Sequence, residues 1–244
     1  MTNPYRLLGI ILITAGAVLA PIFYFVIGAV PLAAAALSAI IIGLASFFLS
    51  NARPYISPEA CQILLKAGME NTAALLEEIG IRSKAIYLPS NMRNGHPQAL
   101  VPLMDNCDIN KIKNQLPGRL IVRYGPEAED MAIAVTTPGS INLDMLENKP
   151  GPTAEEIESA ITYILVGVLD IANGVKVNMT DSRIDVEISG AKMGYEEIWY
   201  YQCLGSPVAS IAAAVSSEAV QKPVRILEET NHKSKNRIIL EVLS

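Results

Sequence analysis

Between Arg6 and Arg53 the chain carries no Asp, Glu, Lys, Arg or His. That stretch holds two apolar runs, residues 7–27 and 31–49, parted only by Gly28, Ala29 and Val30 ahead of Pro31. Each run is close to the roughly 20 apolar residues that cross a hydrocarbon core about 30 Å thick as a helix, and so short a break permits only an immediate return. The sequence predicts a transmembrane helical hairpin over residues 1–53, with the rest of the chain tethered to a lipid bilayer. Apolar character persists past Ala20 through Ile22, Phe23, Tyr24, Phe25, Val26 and Ile27, which is span length and exceeds a signal-peptide core. Pro21 should loosen the first span. Ala35, Ala39 and Gly43 recur every four residues, a small-residue face that Gly9, Gly16 and Ala20 can match.

Orientation follows from the flanking cations, because Lys and Arg near span ends stay on the cytoplasmic side. Arg6 precedes the first span and Arg53 follows the second, so both termini are expected in the cytoplasm and the uncharged turn outside the cell membrane. Ion paths and proton relays need intramembrane charge. Neither span contains any, which argues against transport.

Arg6 is the one charged residue before Arg53, so 18 Lys and Arg against 24 Asp and Glu leave residues 53–244 at −6. An acidic body is a poor nucleic-acid surface and is repelled by anionic headgroups. It should stand off the membrane on residues 50–57. Cys61, Cys107 and Cys203 are odd in number and widely spaced, as reduced cytoplasmic thiols would be.

The body reads as α+β. Ser57, Pro58 and Glu59 open a helix that should stop at Gly80. Short apolar runs at 85–88 and 99–103 flank a turn-rich segment, and runs at 120–124 and 131–136 flank an acidic tip, giving two hairpins. Residues 105–118 are polar and leave a loop or a short helix at 109–116 open, and a short helix is expected at 140–147. Lys149-Pro150-Gly151-Pro152 is the strongest punctuation and divides the body into 54–150 and 151–244. Beyond it the Thr153/Glu156 capping box starts a helix expected to reach Asn173 and close at Gly174. A hairpin follows, with Val175, Val177 and Met179 inward on one strand and Ile184, Val186 and Ile188 on the other. Ser206-Pro207 starts an Ala-rich helix to Val220, and residues 223–230 and 237–243 form a last hairpin.

Cys203-Leu204-Gly205-Ser206-Pro207, the strand 222–229 and the strand 237–242 together resemble the 4-vinyl-reductase-like small-molecule-binding domains over a little more than a third of the chain. The chain departs from that family at Asn231-His232, where the family carries further cysteines, so the resemblance implies no multi-cysteine metal or thiol site. As a whole the chain resembles uncharacterised archaeal proteins with two N-terminal spans and one soluble α+β domain, on the hairpin, residues 86–89, 100–103 and 186–190, and Ser206-Pro207-Val208-Ala209-Ser210. That resemblance implies architecture and no chemistry.

No phosphate loop, nucleophile elbow, zinc-protease helix or dinucleotide fingerprint is present in the sequence, and His96 and His232 lie in separate turn segments. No catalytic residue, metal ligand or cofactor is therefore assigned. One concentration stands out: residues 195–203 hold the only Trp and three of nine Tyr. Aromatic rings with polar tips line pockets and interfaces, and equally cover sheet edges and cores. Tyr195, Trp199, Tyr200, Tyr201 and Cys203 are the ligand- or partner-binding candidates. The expected function is a membrane-anchored cytoplasmic sensor or scaffold that binds a small apolar ligand or a protein partner, with homo-oligomers and no nucleic acid among the partner classes. The alternatives are an enzyme acting on a lipid or aromatic substrate drawn from the bilayer, and a structural subunit of a membrane complex.

Overall fold

The computed structural model describes residues 4–51, 58–93, 97–104, 107–112, 115–192, 198–232 and 235–243. The chain divides into two compact units, Met1–Leu65 and Lys66–Ser244.

In the first unit, α1 (Pro4–Pro21) runs directly into a π-helical turn, Ile22–Ile27, and α2 (Val30–Asn51) returns beside it. The wider turn begins right after Pro21, which has no N–H to offer the helical ladder. Reversal falls on Gly28, whose φ of 69° suits a residue without a Cβ. The two helices touch backbone to backbone: a Cβ on Gly9 would lie 2.8 Å from the Gly43 carbonyl oxygen, and one on Gly16 would lie 2.7 Å from that of Ala36. The seam of α2 is Ala33, Ala36, Ile40, Gly43 and Phe47, which alternates steps of three and four as in left-handed helix packing. The expected stripe of every fourth residue is therefore corrected: Gly43 lies in the seam and Ala35 is exposed. Large apolar side chains such as Leu7, Ile11, Phe25, Ile41 and Phe48 cover the outside. Both helices are long and apolar enough to cross a membrane, with mean hydropathy 2.5 and 2.4.

A third stretch, Trp199–Val220, is also long and apolar enough, with a lower mean hydropathy of 1.3, but 94% of its most apolar window is buried inside the protein. It is two helices, α6 (Trp199–Leu204) and α7 (Pro207–Val220), parted by Gly205 at φ 75°.

The second unit takes in the C-terminal part of α3 (Pro58–Glu78) and an eight-stranded antiparallel sheet. The strands are β1 (Ile86–Leu88), β2 (Gln98–Pro102), β3 (Ile121–Arg123), β4 (Met131–Val135), β5 (Gly174–Met179), β6 (Arg183–Ser189), β7 (Val224–His232) and β8 (Lys235–Val242). Their order is β3-β4-β2-β1-β7-β8-β6-β5, so the segments before and after residue 150 join in one sheet where β1 pairs with β7. Every strand pair is antiparallel, and all the expected hairpins form.

One sheet face is covered by α3, α5 (Ala154–Thr162), α6 and α7, whose side chains share a core with Tyr87, Val101, Val186, Ile226, Ile238 and Leu240. Helix α7 is buried almost throughout, and its Ala and Ser side chains permit close approach: a Cβ on Gly139 would strike the Ser210 carbonyl. The opposite face of β1–β4 packs under Ile112 and Leu116. Among the described residues of 109–116, the helical element is a 3-10 turn, Ile109–Lys111.

Other boundaries moved. Helix α5 gives way to a π-helical turn, Tyr163–Val168, and Gly174 opens β5 instead of capping a helix. Strand β5 is a sheet edge, so Val177 is buried while Met179 is exposed. The short helix near 140 starts earlier, as α4 (Pro138–Asn142), because Thr137 and Ser140 cap each other's backbone N–H.

Candidate functional site

The aromatic segment docks α6 against the chain that leaves α3. Tyr195 lies outside the described residues. Trp199 is half-buried, and its indole N–H donates to the Ile81 carbonyl at 3.0 Å. Tyr200 and Tyr201 are buried edge to face, with ring centroids 6.1 Å apart. The Cys203 thiol, also buried, lies 3.8 Å from the same Ile81 carbonyl, and the Cys203 carbonyl accepts from Ala85 N–H at 2.8 Å. The next carbonyl, that of Leu204, accepts from the Tyr87 hydroxyl at 2.5 Å. Burial pushes the Tyr200 phenol up to about 12, with Tyr201 beside it adding to the shift, and pushes the Cys203 thiol up as well. A thiol raised in this way stays protonated at neutral pH and is a poor nucleophile.

Two of these residues, Tyr201 and Cys203, reach a cavity of about 310 Å³ between α6 and β7. Gln202, Gly205 and Lys84 complete the helix side, and Ile226, Leu227, Glu228 and Glu229 complete the strand side. Trp199 and Tyr200 are not in its wall.

A β-bulge shapes the strand side. Ile226 pairs with Leu240, after which the register skips Leu227, so that Glu228 opposes Ile239 and Glu229 opposes Ile238. Directly opposed residues share a sheet face, and Ile238 is fully buried. The extra residue thus turns Glu229 onto the helix-covered face. Its Oε2 accepts the Ser206 N–H at 3.0 Å, at the start of α7. Its Oε1 is shielded from solvent and has no hydrogen-bond partner among the described residues. The Lys84 ammonium donates to the Leu227 carbonyl at the bulge itself. Gly205 is required where α6 meets α7: besides its positive φ, a Cβ there would lie 2.6 Å from Ile226 Cδ1.

A second polar cluster lies near the other end of α7. Glu218 is buried and accepts from Ser90 N–H at 2.7 Å, from Ser90 Oγ at 2.6 Å and from Lys149 Nζ at 2.7 Å. Burial works to raise this carboxyl, but the hydrogen bonds from Lys149 and Ser90 outweigh it and hold the group below the usual range. A cavity of about 80 Å³ adjoins the cluster. Among the described residues no three His, Cys, Asp or Glu side chains are placed to share a metal ion, and His96 lies outside those residues.

Reasoning from sequence missed Glu229, Lys84 and the Glu218 cluster. Glu228-Glu229 following Ile226-Leu227 within one strand was a signal, since one of two adjacent strand residues must face inward. A lone Glu in the Ala-rich stretch 207–220 was another.

A family model, a domain of unknown function (DUF7982), matches residues 5–242. No curated protein and no solved structure matches the chain. The chain belongs to the DUF7982 family, whose model covers both the apolar hairpin and the α+β body.

Proposed function

We propose that this chain is a membrane-anchored binding protein, a sensor or scaffold whose α+β body lies on the cytoplasmic side and takes a small ligand into the cavity between α6 and β7. The cavity carries the reading. Its volume of about 310 Å³ falls at the lower end of ligand pockets, and its wall sets Ile226 and Leu227 beside a few convergent polar groups. In this reading Tyr201 and Cys203 meet the ligand, while Trp199 and Tyr200 brace the wall from behind. The apolar hairpin supplies the anchor, and Arg6 and Arg53 at its ends favour cytoplasmic termini. The resemblance to 4-vinyl-reductase-like domains favours a small-molecule ligand, and the resemblance to archaeal two-span proteins favours the anchored architecture alone. An enzymatic role for Cys203 is less favoured because burial keeps the thiol protonated.

Native mass spectrometry of the full-length chain in mild detergent tests this. A co-purifying small molecule is expected to be present, and Leu227→Trp, which fills the cavity, is expected to remove it. A chain that carries no small molecule, or a Leu227→Trp variant that keeps it, would overturn the binding role of this cavity.

A further inference from the structure

The charge and hydrogen-bond inventory of the cavity selects one ligand class, on the premise that the cavity binds a ligand at all. Its wall holds two carboxylates, Glu228 and Glu229, against one ammonium, Lys84. That ammonium is engaged by the Leu227 carbonyl, and among the described residues neither glutamate has an ion-pair partner. The start of α7 would otherwise attract an anion. Here the chain has already capped it, with Ser206 Oγ accepting the Ala209 N–H at 3.2 Å and Glu229 Oε2 accepting the Ser206 N–H. The Glu229 carboxylate on that wall is half answered: its Oε1, closed to water, has no donor among the described residues, and a missing hydrogen bond there is costly. The bulge at Leu227 is what turns this carboxylate toward the core side, where the lower dielectric strengthens its attraction for a cation. Ile226 and Leu227 leave apolar wall for a hydrocarbon. At about 30 Å³ per small group, a volume of about 310 Å³ admits roughly ten non-hydrogen atoms.

We infer that the cavity binds a small amphiphilic amine, its ammonium donating to Glu229 and its hydrocarbon lying on Ile226 and Leu227. Fatty acids and phosphate headgroups are disfavoured, because the inward-turned Glu229 carboxylate would face their charge.

The test is calorimetric titration of the detergent-solubilised full-length chain with hexylammonium, hexanol and hexanoate, three probes of one size and three charges. Hexylammonium is expected to bind about tenfold tighter than hexanol or more, the value of one charge-assisted hydrogen bond, and hexanoate more weakly than either. Glu229→Gln should bring hexylammonium down to the affinity of hexanol while leaving hexanol unchanged. Lys84→Met, which leaves the fold's own hydrogen bonds to Glu229 untouched, should tighten hexylammonium. Equal affinities for the three probes, preference for hexanoate, or an unchanged preference in Glu229→Gln or Lys84→Met would overturn the amine assignment and leave the cavity as a binding site. Absence of heat with all three probes, or binding that persists in Leu227→Trp, would overturn the cavity reading itself.

Discussion

The two ends of α7 each meet a glutamate, and the two are treated in opposite ways. Near the C-terminal end, Glu218 accepts three hydrogen bonds, two from Ser90 and one from Lys149. A negative charge is unwelcome at a helix C-terminus, and the lysine answers it. At the N-terminal end, Glu229 meets the favourable pole of the same helix, yet only one of its oxygens is engaged, and the other is shielded from solvent with no partner among the described residues, in a side chain that lines a cavity. A buried carboxylate with both oxygens answered ties segments together: Glu218 joins α7 to the turn after β1 and to the loop before α5. A half-answered one in a cavity wall leaves charge that the fold has not fully used. The contrast assigns structure to one end of the helix and recognition to the other.

The largest expected effect is at the structural end. Glu218→Ala should destabilise the body by about 3 kcal/mol, because the Ser90 N–H and hydroxyl lose their acceptor in a buried site and a void opens beside them. Lys149 adds little to that cost, since its side chain is 70% exposed and can turn to water. In a body of this size the melting temperature should fall by roughly 6–12 °C, read by thermal unfolding of the detergent-solubilised chain. A fall of under about 2 °C would erase the distinction between the two ends.

The same carboxylate sets an acid limit. Its folded-state pKa lies below the ordinary carboxyl value, so the stabilisation is fully present above about pH 4.3 and is lost as pH falls through the lower folded value. Urea midpoints measured down that range should decline in the native chain, and Glu218→Gln should flatten the part of the slope that this group causes. An unchanged slope would mean that other carboxylates govern the acid limit.

The architecture was legible wherever the signal was local. The uncharged stretch after Arg6, the Thr153/Glu156 and Ser206-Pro207 helix starts and the alternation of Ile184, Val186 and Ile188 each declared their element without help from distant residues. The features that shape the cavity are not local. The skip at Leu227 depends on how β7 meets β8, and nothing in residues 224–232 taken alone decides which of Glu228 and Glu229 faces inward. The aromatic segment was visible as a concentration, but its division into Tyr201 and Cys203 on the cavity side and Trp199 and Tyr200 behind comes from docking α6 on Ile81. The hairpin seam shows the same limit: small residues at two spacings were available in α2, and the partner helix selected the three-four alternation.

The smallest expected effect is the sharpest test of the comparison. Glu229→Gln keeps a carbonyl oxygen that can accept the Ser206 N–H and removes the charge from the start of α7. Losing the charge–dipole attraction costs on the order of 0.3–1 kcal/mol. Removing a shielded carboxylate oxygen that has no donor offsets much of this, because an unanswered ionic acceptor is itself unfavourable. The net change should therefore lie within about 1 kcal/mol of zero, a shift of roughly 4 °C or less in either direction. Thermal unfolding of Glu229→Gln beside Glu218→Ala reads both ends of one helix in one experiment. A loss at Glu229 as large as that at Glu218 would show that the carboxylate is a structural tie, and its free oxygen would then have no claim on a ligand.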